Sequence, residues 1–472
     1  MVRLKTLDGS TKTINATDLE SLRGEVRGAV CLPGEAGYDE ARAIWNAMID
    51  RHPGLVLRCA GAADVMRAVR FARANGLLVA VRGGGHNIAG NAVCDGGLMI
   101  DLSPMRSVRV DPKDHKAWVA PGATLGDLDK ETQAFGLAVP TGVNSTTGVA
   151  GLTLGGGFGW ITRKFGLTID NLLSADVVTA EGGLVQASEK ENSDLFWALR
   201  GGGGNFGIVT CFEFQLHPVG PQVLAGLIVH PLADAPGLLR AYRGIVADTP
   251  DELTCWAVMR QAPPLPFLPE EWHGREVFVF ALCYAGDVEK GEQAVAPLRA
   301  LGKPIADVVG PQPFTGWQSA FDPLLTPGAR NYWKSHDFVE LSDPAIEVIF
   351  EYAGHLPGPE CEIFIAQIGG AMSRVTEGAT AFPQRKAHFV LNVHTRWRAP
   401  TDDGKCVQWA RDFFRATAPY AAGTAYINFM PEDEIDRVRS AYGPNYDRLA
   451  RAKAQYDRSN FFRLNQNIQP AP

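Results

Sequence analysis

The run Arg82-Gly83-Gly84-Gly85-His86 follows directly on the apolar stretch Gly76-Leu77-Leu78-Val79-Ala80-Val81. Three consecutive glycines remove every Cβ from a turn, so backbone N–H groups can close around an anion such as a pyrophosphate without steric penalty. A histidine at the end of such a loop lies within reach of whatever the anion carries. The spacing is not that of the dinucleotide-binding fingerprint, and Asn87-Ile88-Ala89-Gly90 does not read as the first turn of a helix. Taken alone, the loop reads equally as a tight turn between strands with a surface histidine.

Two further glycine-rich segments accompany it. One is Pro140-Thr141-Gly142-Val143-Asn144-Ser145-Thr146-Thr147-Gly148-Val149-Ala150-Gly151-Leu152-Thr153-Leu154-Gly155-Gly156-Gly157-Phe158-Gly159-Trp160, and the other runs from Asp194 through Gly201-Gly202-Gly203-Gly204-Asn205-Phe206-Gly207-Ile208-Val209. The closing stretch Tyr456-Asp457-Arg458-Ser459-Asn460-Phe461-Phe462-Arg463-Leu464-Asn465-Gln466-Asn467-Ile468 completes the pattern. Together these segments resemble the flavoprotein oxidases of the vanillyl-alcohol oxidase and p-cresol methylhydroxylase (PCMH) superfamily, and within it the berberine-bridge-enzyme-like group.

The resemblance implies FAD, with its pyrophosphate on residues 82–86. The cofactor-binding positions it implies are Arg82, Gly83, Gly84, Gly85, His86, Asn87, Gly90, Gly142, Asn144, Thr146, Thr147, Gly148, Gly151, Gly155, Gly156, Gly159, Gly207, Ile208, Val209, Asn465 and Asn467, with Gln466 a further polar contact. It also implies a covalent bond from His86 to the 8α-methyl carbon of the isoalloxazine, a reaction for which neutral imidazole is a competent nucleophile. Relatives with a second link use a cysteine where this chain has Asn144, and a histidine of some relatives corresponds to Leu152. An amide cannot form that link, so a single attachment through His86 is expected, with dissociable FAD as the alternative. Thr147 falls where, in relatives, side-chain bulk at the flavin edge is linked to dioxygen access, and its small size favours oxygen as acceptor.

Composition narrows the remaining classes. A chain of 472 residues that is 46% hydrophobic and 21% charged is globular, and two domains are expected. The net charge of −7 gives no basic footprint for nucleic acid or an acidic membrane surface. No apolar run approaches the ~20 residues a membrane helix needs. The polar start Met1-Val2-Arg3-Leu4-Lys5 has no signal-peptide core, and a cytoplasmic location is expected. The cysteines at 31, 59, 94, 211, 255, 283, 361 and 406 form no CxxC pair, so a metal centre is not expected and buried thiols are the plain reading.

The periodicity predicts a strand, helix and strand over 55–81, strands at 97–102, 107–110 and 116–120, and a hairpin of 176–180 with 184–187 around Glu181-Gly182-Gly183. Beyond His217-Pro218-Val219-Gly220-Pro221 the glycine clusters stop, and strand-like runs appear at 223–229, 277–282, 362–366 and 388–394. The expected fold is α+β: a PCMH-type FAD-binding domain over 1–220, a substrate domain over 221–430 whose sheet covers the flavin, and a tail over 431–472 that returns to the first domain.

Substrate chemistry is less legible. By resemblance Tyr426 is a candidate base, although Phe429 stands where a second tyrosine often occurs, and a core tyrosine is an equal reading. Tyr332 and Lys334, in Asn331-Tyr332-Trp333-Lys334-Ser335-His336, are the other catalytic candidates, with Lys334 as a cation near the flavin. His388 and His394 bracket one strand without a carboxylate at ligand spacing. The expected activity is hydride removal from a C–H next to O or N of a small alcohol, amine or secondary metabolite, with O2 reduced to H2O2. Loss of the cysteine link is expected to narrow the site and disfavour oligosaccharides. A dehydrogenase with another acceptor and a flavin-bearing binding protein without turnover remain open, and oligomeric state is not readable.

Overall fold

A computed structural model describes all residues from Met1 to Pro472. Near the N-terminus a four-stranded sheet runs in the order β1 (Ala29–Cys31), β2 (Leu55–Arg58), β4 (Leu98–Asp101), β3 (Val79–Arg82). β2 and β3 both lie parallel to β4, linked by helix α1 (Ala62–Ala74). Val65, Ala68, Val69 and Ala72 recur at helical spacing and seal one face of this sheet. Gly76, at φ +62°, ends the helix and sends the chain into β3, which delivers Arg82 and the glycine loop.

A five-stranded antiparallel sheet follows, in which β7 (Leu172–Val178) pairs on one side with β8 (Leu184–Ser188) and on the other with β9 (Ile208–Gln215). β6 (Lys116–Val119) and β5 (Val108–Asp111) continue it beyond β9. Helices α2 (Val149–Leu154) and α3 (Ser193–Leu199) share its core.

The third sheet is the largest. Its long strands run in the order β10 (Gln222–Pro231), β12 (Glu276–Tyr284), β11 (Leu253–Gln261), β14 (Glu362–Gln367), β15 (Phe389–Trp397), β13 (Arg330–Phe338), all antiparallel. One face, with Phe278, Phe280, Leu282, Ile363, Ile365, Leu391 and Val393, packs beneath helices α4 (Ala235–Ala247), α5 (Asp343–Ala353) and α6 (Asp403–Thr417). The alternate residues Trp256, Val258, Val279, Trp333, Phe364 and His394 face the glycine-rich half of the molecule.

Strands β11 and β13 were not foreseen. Arg330–Phe338 is polar enough to read as a loop, yet as an edge strand paired with β15 it buries all but two of its residues. His388 lies exposed just before β15, whereas His394 is buried within it. The C-terminal segment shares the core of the five-stranded sheet: Ala425, Ile427, Met430, Tyr442 and Leu449 join Phe196 and Trp197. In helix α7 (Tyr446–Tyr456), the ammonium of Lys453 is fully buried and donates to Asp457 and to the carbonyls of Asn205 and Phe462.

Candidate active site

Between the glycine loops and the large sheet lies a cavity of about 400 Å³. Its first wall is mostly backbone. Gly83, Gly84, Gly85, His86 and Asn87 line it with Gly142, Asn144, Thr147, Gly148, Gly151, Gly207, Ile208, Val209 and Asn465. A Cβ on Gly84 would collide with the backbone of Gly148, and one on Gly148 with that of Gly84, so the two loops touch main chain to main chain. The N–H groups of Gly83, Gly84, Gly85, His86 and Asn87 find no acceptor within the chain. Consecutive free N–H groups of this kind form an anion-binding nest. At Gly151 and Gly204 a Cβ would meet nothing within 4 Å, so a side chain there would fill cavity space.

Other expected cofactor positions do not line the cavity. The Arg82 guanidinium donates to the Ala41 carbonyl at 2.5 Å. Gly90 packs on Ile49, Gly155 on Asn428, Gly156 on the Phe382 ring and Gly159 on the Thr141 carbonyl. These glycines serve close packing behind the wall. Asn467 also lies off the lining, whereas Gly203, Leu464 and Gln466 belong to it.

His86 stacks on Trp45 with ring centroids 5.0 Å apart, and burial holds its pKa well below the ordinary imidazole value. Its tautomer follows from its neighbours. The Thr146 hydroxyl donates to Asn144 Oδ1 at 2.7 Å, so toward His86 Nε2, 3.1 Å away, the same oxygen acts as acceptor. The proton therefore sits on Nε2. Nδ1, 3.5 Å from the Thr147 hydroxyl, keeps its lone pair. Thr146, though off the lining, thus acts through His86.

The second wall is made of side chains from the sheet, joined by Phe429 from the C-terminal turn Ile427–Phe429. Trp256, Phe364, Trp333 and Phe429 supply aromatic surface, and Arg260, Glu362 and His394 supply charge and hydrogen bonding. Glu362 Oε2 accepts from Arg260 at 2.8 Å, and Oε1 lies 3.0 Å from His394 Nδ1. Burial pushes the Glu362 carboxyl up, but Arg260 and His394 outweigh it and hold the pKa near 2. Tyr426 lines the cavity too, packed 4.9 Å from the rings of Phe158 and Phe429. Its hydroxyl accepts from Gly157 N at 3.1 Å and Asn428 Nδ2 at 2.9 Å, and burial raises its pKa to about 12.

Tyr332 and Lys334 face the other way. On β13 they alternate with Trp333, and only Trp333 reaches the cavity. The Tyr332 hydroxyl donates to Asp433 at 2.8 Å, and Lys334 pairs with buried Glu434 at 2.6 Å. Neither is placed to act on a substrate in this cavity. The sequence reading missed Trp333, Phe364, Arg260 and Glu362 as site residues and saw no partner for His394. The even spacing of Glu362 with Phe364 would have placed both on one face of β14. The thiol of Cys94 is buried and its pKa raised to about 12, which leaves it protonated and inert.

A backbone nest opening beside a neutral imidazole, facing an aromatic wall, suits a large anionic cofactor with a planar ring, and FAD fits that description. Comparison with known proteins agrees. The FAD binding domain family matches residues 53–188, and the berberine and berberine-like family matches 425–469. An FAD-linked oxidoreductase of Dictyostelium discoideum is 32% identical over 450 residues, covering 94% of this chain and 95% of that protein. The (R)-6-hydroxynicotine oxidase of Paenarthrobacter nicotinovorans is 32% identical over 462 residues, 94% of this chain and 97% of that one. The crystal structure of 6-hydroxy-D-nicotine oxidase from Arthrobacter nicotinovorans superposes with a TM-score of 0.84 at 30% identity, over 94% of this chain and 98% of that one. The chain belongs to the berberine-bridge-enzyme-like family of FAD-linked oxidoreductases. It is an FAD-dependent enzyme with the PCMH-type fold.

Proposed function

We propose that this enzyme oxidises a small, flat alcohol or amine at a C–H next to O or N, passes the electrons to O2 to give H2O2, and holds its FAD through one covalent bond at His86. Bound FAD supplies the two-electron, hydride-accepting centre. The chain's own residues bind the cofactor at the nest of 83–87 and along 142–151, 203–209 and 464–466, and orient the substrate against the aromatic sheet.

The observation that carries this reading is a single cavity joining His86 to the aromatic wall and Tyr426. That wall offers ring faces and few hydrogen-bonding groups, which favours a planar apolar substrate over a polyhydroxylated oligosaccharide. The Asn144–Thr146–His86 relay supports attachment through Nδ1, the nitrogen left with a free lone pair. Thr147, bordering the cavity beside His86, supports access for O2.

The test mixes holoprotein anaerobically with benzylic alcohols, cyclic amines and (R)-6-hydroxynicotine, then admits air. Bleaching of the flavin band, followed by its return with release of peroxide, is expected. Absence of bleaching by every compound contradicts the oxidation, and reduced flavin that persists in air contradicts O2 as acceptor.

A further inference from the structure

Arg260, Glu362, His394 and Trp333 are directly paired neighbours across four strands, β11, β14, β15 and β13, and form one row on the face turned toward the glycine loops. His394 lines the cavity at 2% exposure, its ring 4.5 Å from that of Trp333. Both carboxylate oxygens of Glu362 are engaged, one by Arg260 and one by His394 Nδ1. An ionised carboxylate only accepts, so Nδ1 carries the proton and Nε2 carries the lone pair. Nε2 has no hydrogen-bond partner in the chain.

We propose that His394, oriented by Glu362 and Arg260, is the group that takes the substrate's proton in this cavity, and that the substrate presents its O–H or N–H to the sheet. The proposal rests on the oxidation reading above. When an alcohol R2CH–OH loses hydride, its O–H bond must also break. The proton leaves to form an N–H bond at Nε2, the O–H electron pair becomes the second bond of C=O, and Glu362 compensates the imidazolium charge.

Tyr426 is placed for the complementary role. Two donors already occupy its oxygen, so what it offers the substrate is its own proton. The other charged groups near His394 are Arg396, two residues along the same face of β15, and its counter-ion Glu360 at 2.9 Å. Glu360 also pairs with Arg398 at 2.8 Å, so the anion in contact with the developing imidazolium is Glu362, itself held by Arg260.

The test uses holoprotein and 4-nitrophenol, whose phenolate absorbs in the visible. Wild-type protein is expected to bind it as phenolate at a pH where free 4-nitrophenol is still neutral. His394→Asn, which keeps a donor for Glu362 and lacks Nε2, should bind it neutral or at least tenfold more weakly, and Glu362→Gln should fall between. In anaerobic bleaching by a substrate, His394→Asn should slow flavin reduction by about 10²–10⁴-fold with its flavin content unchanged. Tyr426→Phe should still form nitrophenolate. A wild-type site that holds 4-nitrophenol neutral or not at all, or a His394→Asn protein that ionises it as well as wild type, overturns the proposal. Nitrophenolate formation that depends on His394, without bleaching by any alcohol or amine, upholds the proton acceptor and refutes the oxidation.

Discussion

The two walls of the cavity are built from different parts of the amino acid. The cofactor wall is main chain, with glycine where two loops meet and N–H groups left free for an anion. The sheet wall is side chain, each strand contributing one to three residues while the strands themselves are held from behind by α4, α5 and α6. A main-chain wall tolerates no added atom where the loops touch, whereas a side-chain wall can change its lining without disturbing the strands' hydrogen bonds. The first should govern whether flavin is held at all and the second what is oxidised.

The harshest way to break this contrast is to add a Cβ at the loop contact. Gly84→Val should abolish folded, yellow protein, and Gly84→Ala should cost about 3 kcal/mol, within the usual range for overpacking. Thermal unfolding and flavin absorbance per chain are the readouts. An Ala variant with wild-type Tm and full flavin content would show that the loops do not depend on contact between their backbones.

Next comes the one part of the sheet wall where charge is buried. Glu362→Ala leaves Arg260 without its partner and should cost about 3–5 kcal/mol. The carboxyl titrates near 2 in the fold against an ordinary 4.5. Its stabilising contribution is therefore complete above pH 4.5 and is lost as pH falls toward 2. The stability gap between wild type and Glu362→Gln should narrow through that window in denaturant titrations, and a gap that widens on acidification would contradict the assignment.

The apolar lining should respond more mildly and in a different observable. Phe364→Ala is expected to lower kcat/KM by about tenfold, as loss of one pocket contact does, and to leave the bound-flavin spectrum unchanged. A loss of flavin instead would erase the distinction between the walls. The smallest effect is expected at Thr146→Val, which removes the acceptor for His86 Nε2–H: attachment should slow several-fold, read as the fraction of acid-stable flavin after timed incubation with FAD.

The same contrast governs what the sequence disclosed. A main-chain wall is written as contiguous glycine runs, so residues 83–87 and 142–151 were legible in linear order. The glycines at 90, 155, 156 and 159 looked alike but pack behind the wall, because a glycine needed against Ile49 or Phe382 carries the same letter as one facing a cofactor. The side-chain wall comes from positions scattered between 227 and 429. The segment Arg330–Phe338 attracted notice, but its strand was hidden because both faces are largely buried and its charged residues are partnered there, Arg330 by Asp403, Lys334 by Glu434 and Asp337 by the Thr424 hydroxyl. Without the strand, Tyr332 and Lys334 could not be told from Trp333 by the direction each faces.

The most direct measurement is the visible spectrum of the purified protein before and after acid precipitation, with the pellet redissolved in denaturant, for wild type and His86→Ala. Yellow colour that stays with the wild-type chain and passes to the supernatant in His86→Ala is the predicted result. A wild-type pellet that is colourless contradicts attachment at His86, and a preparation that is colourless from the start contradicts the account of the cofactor wall.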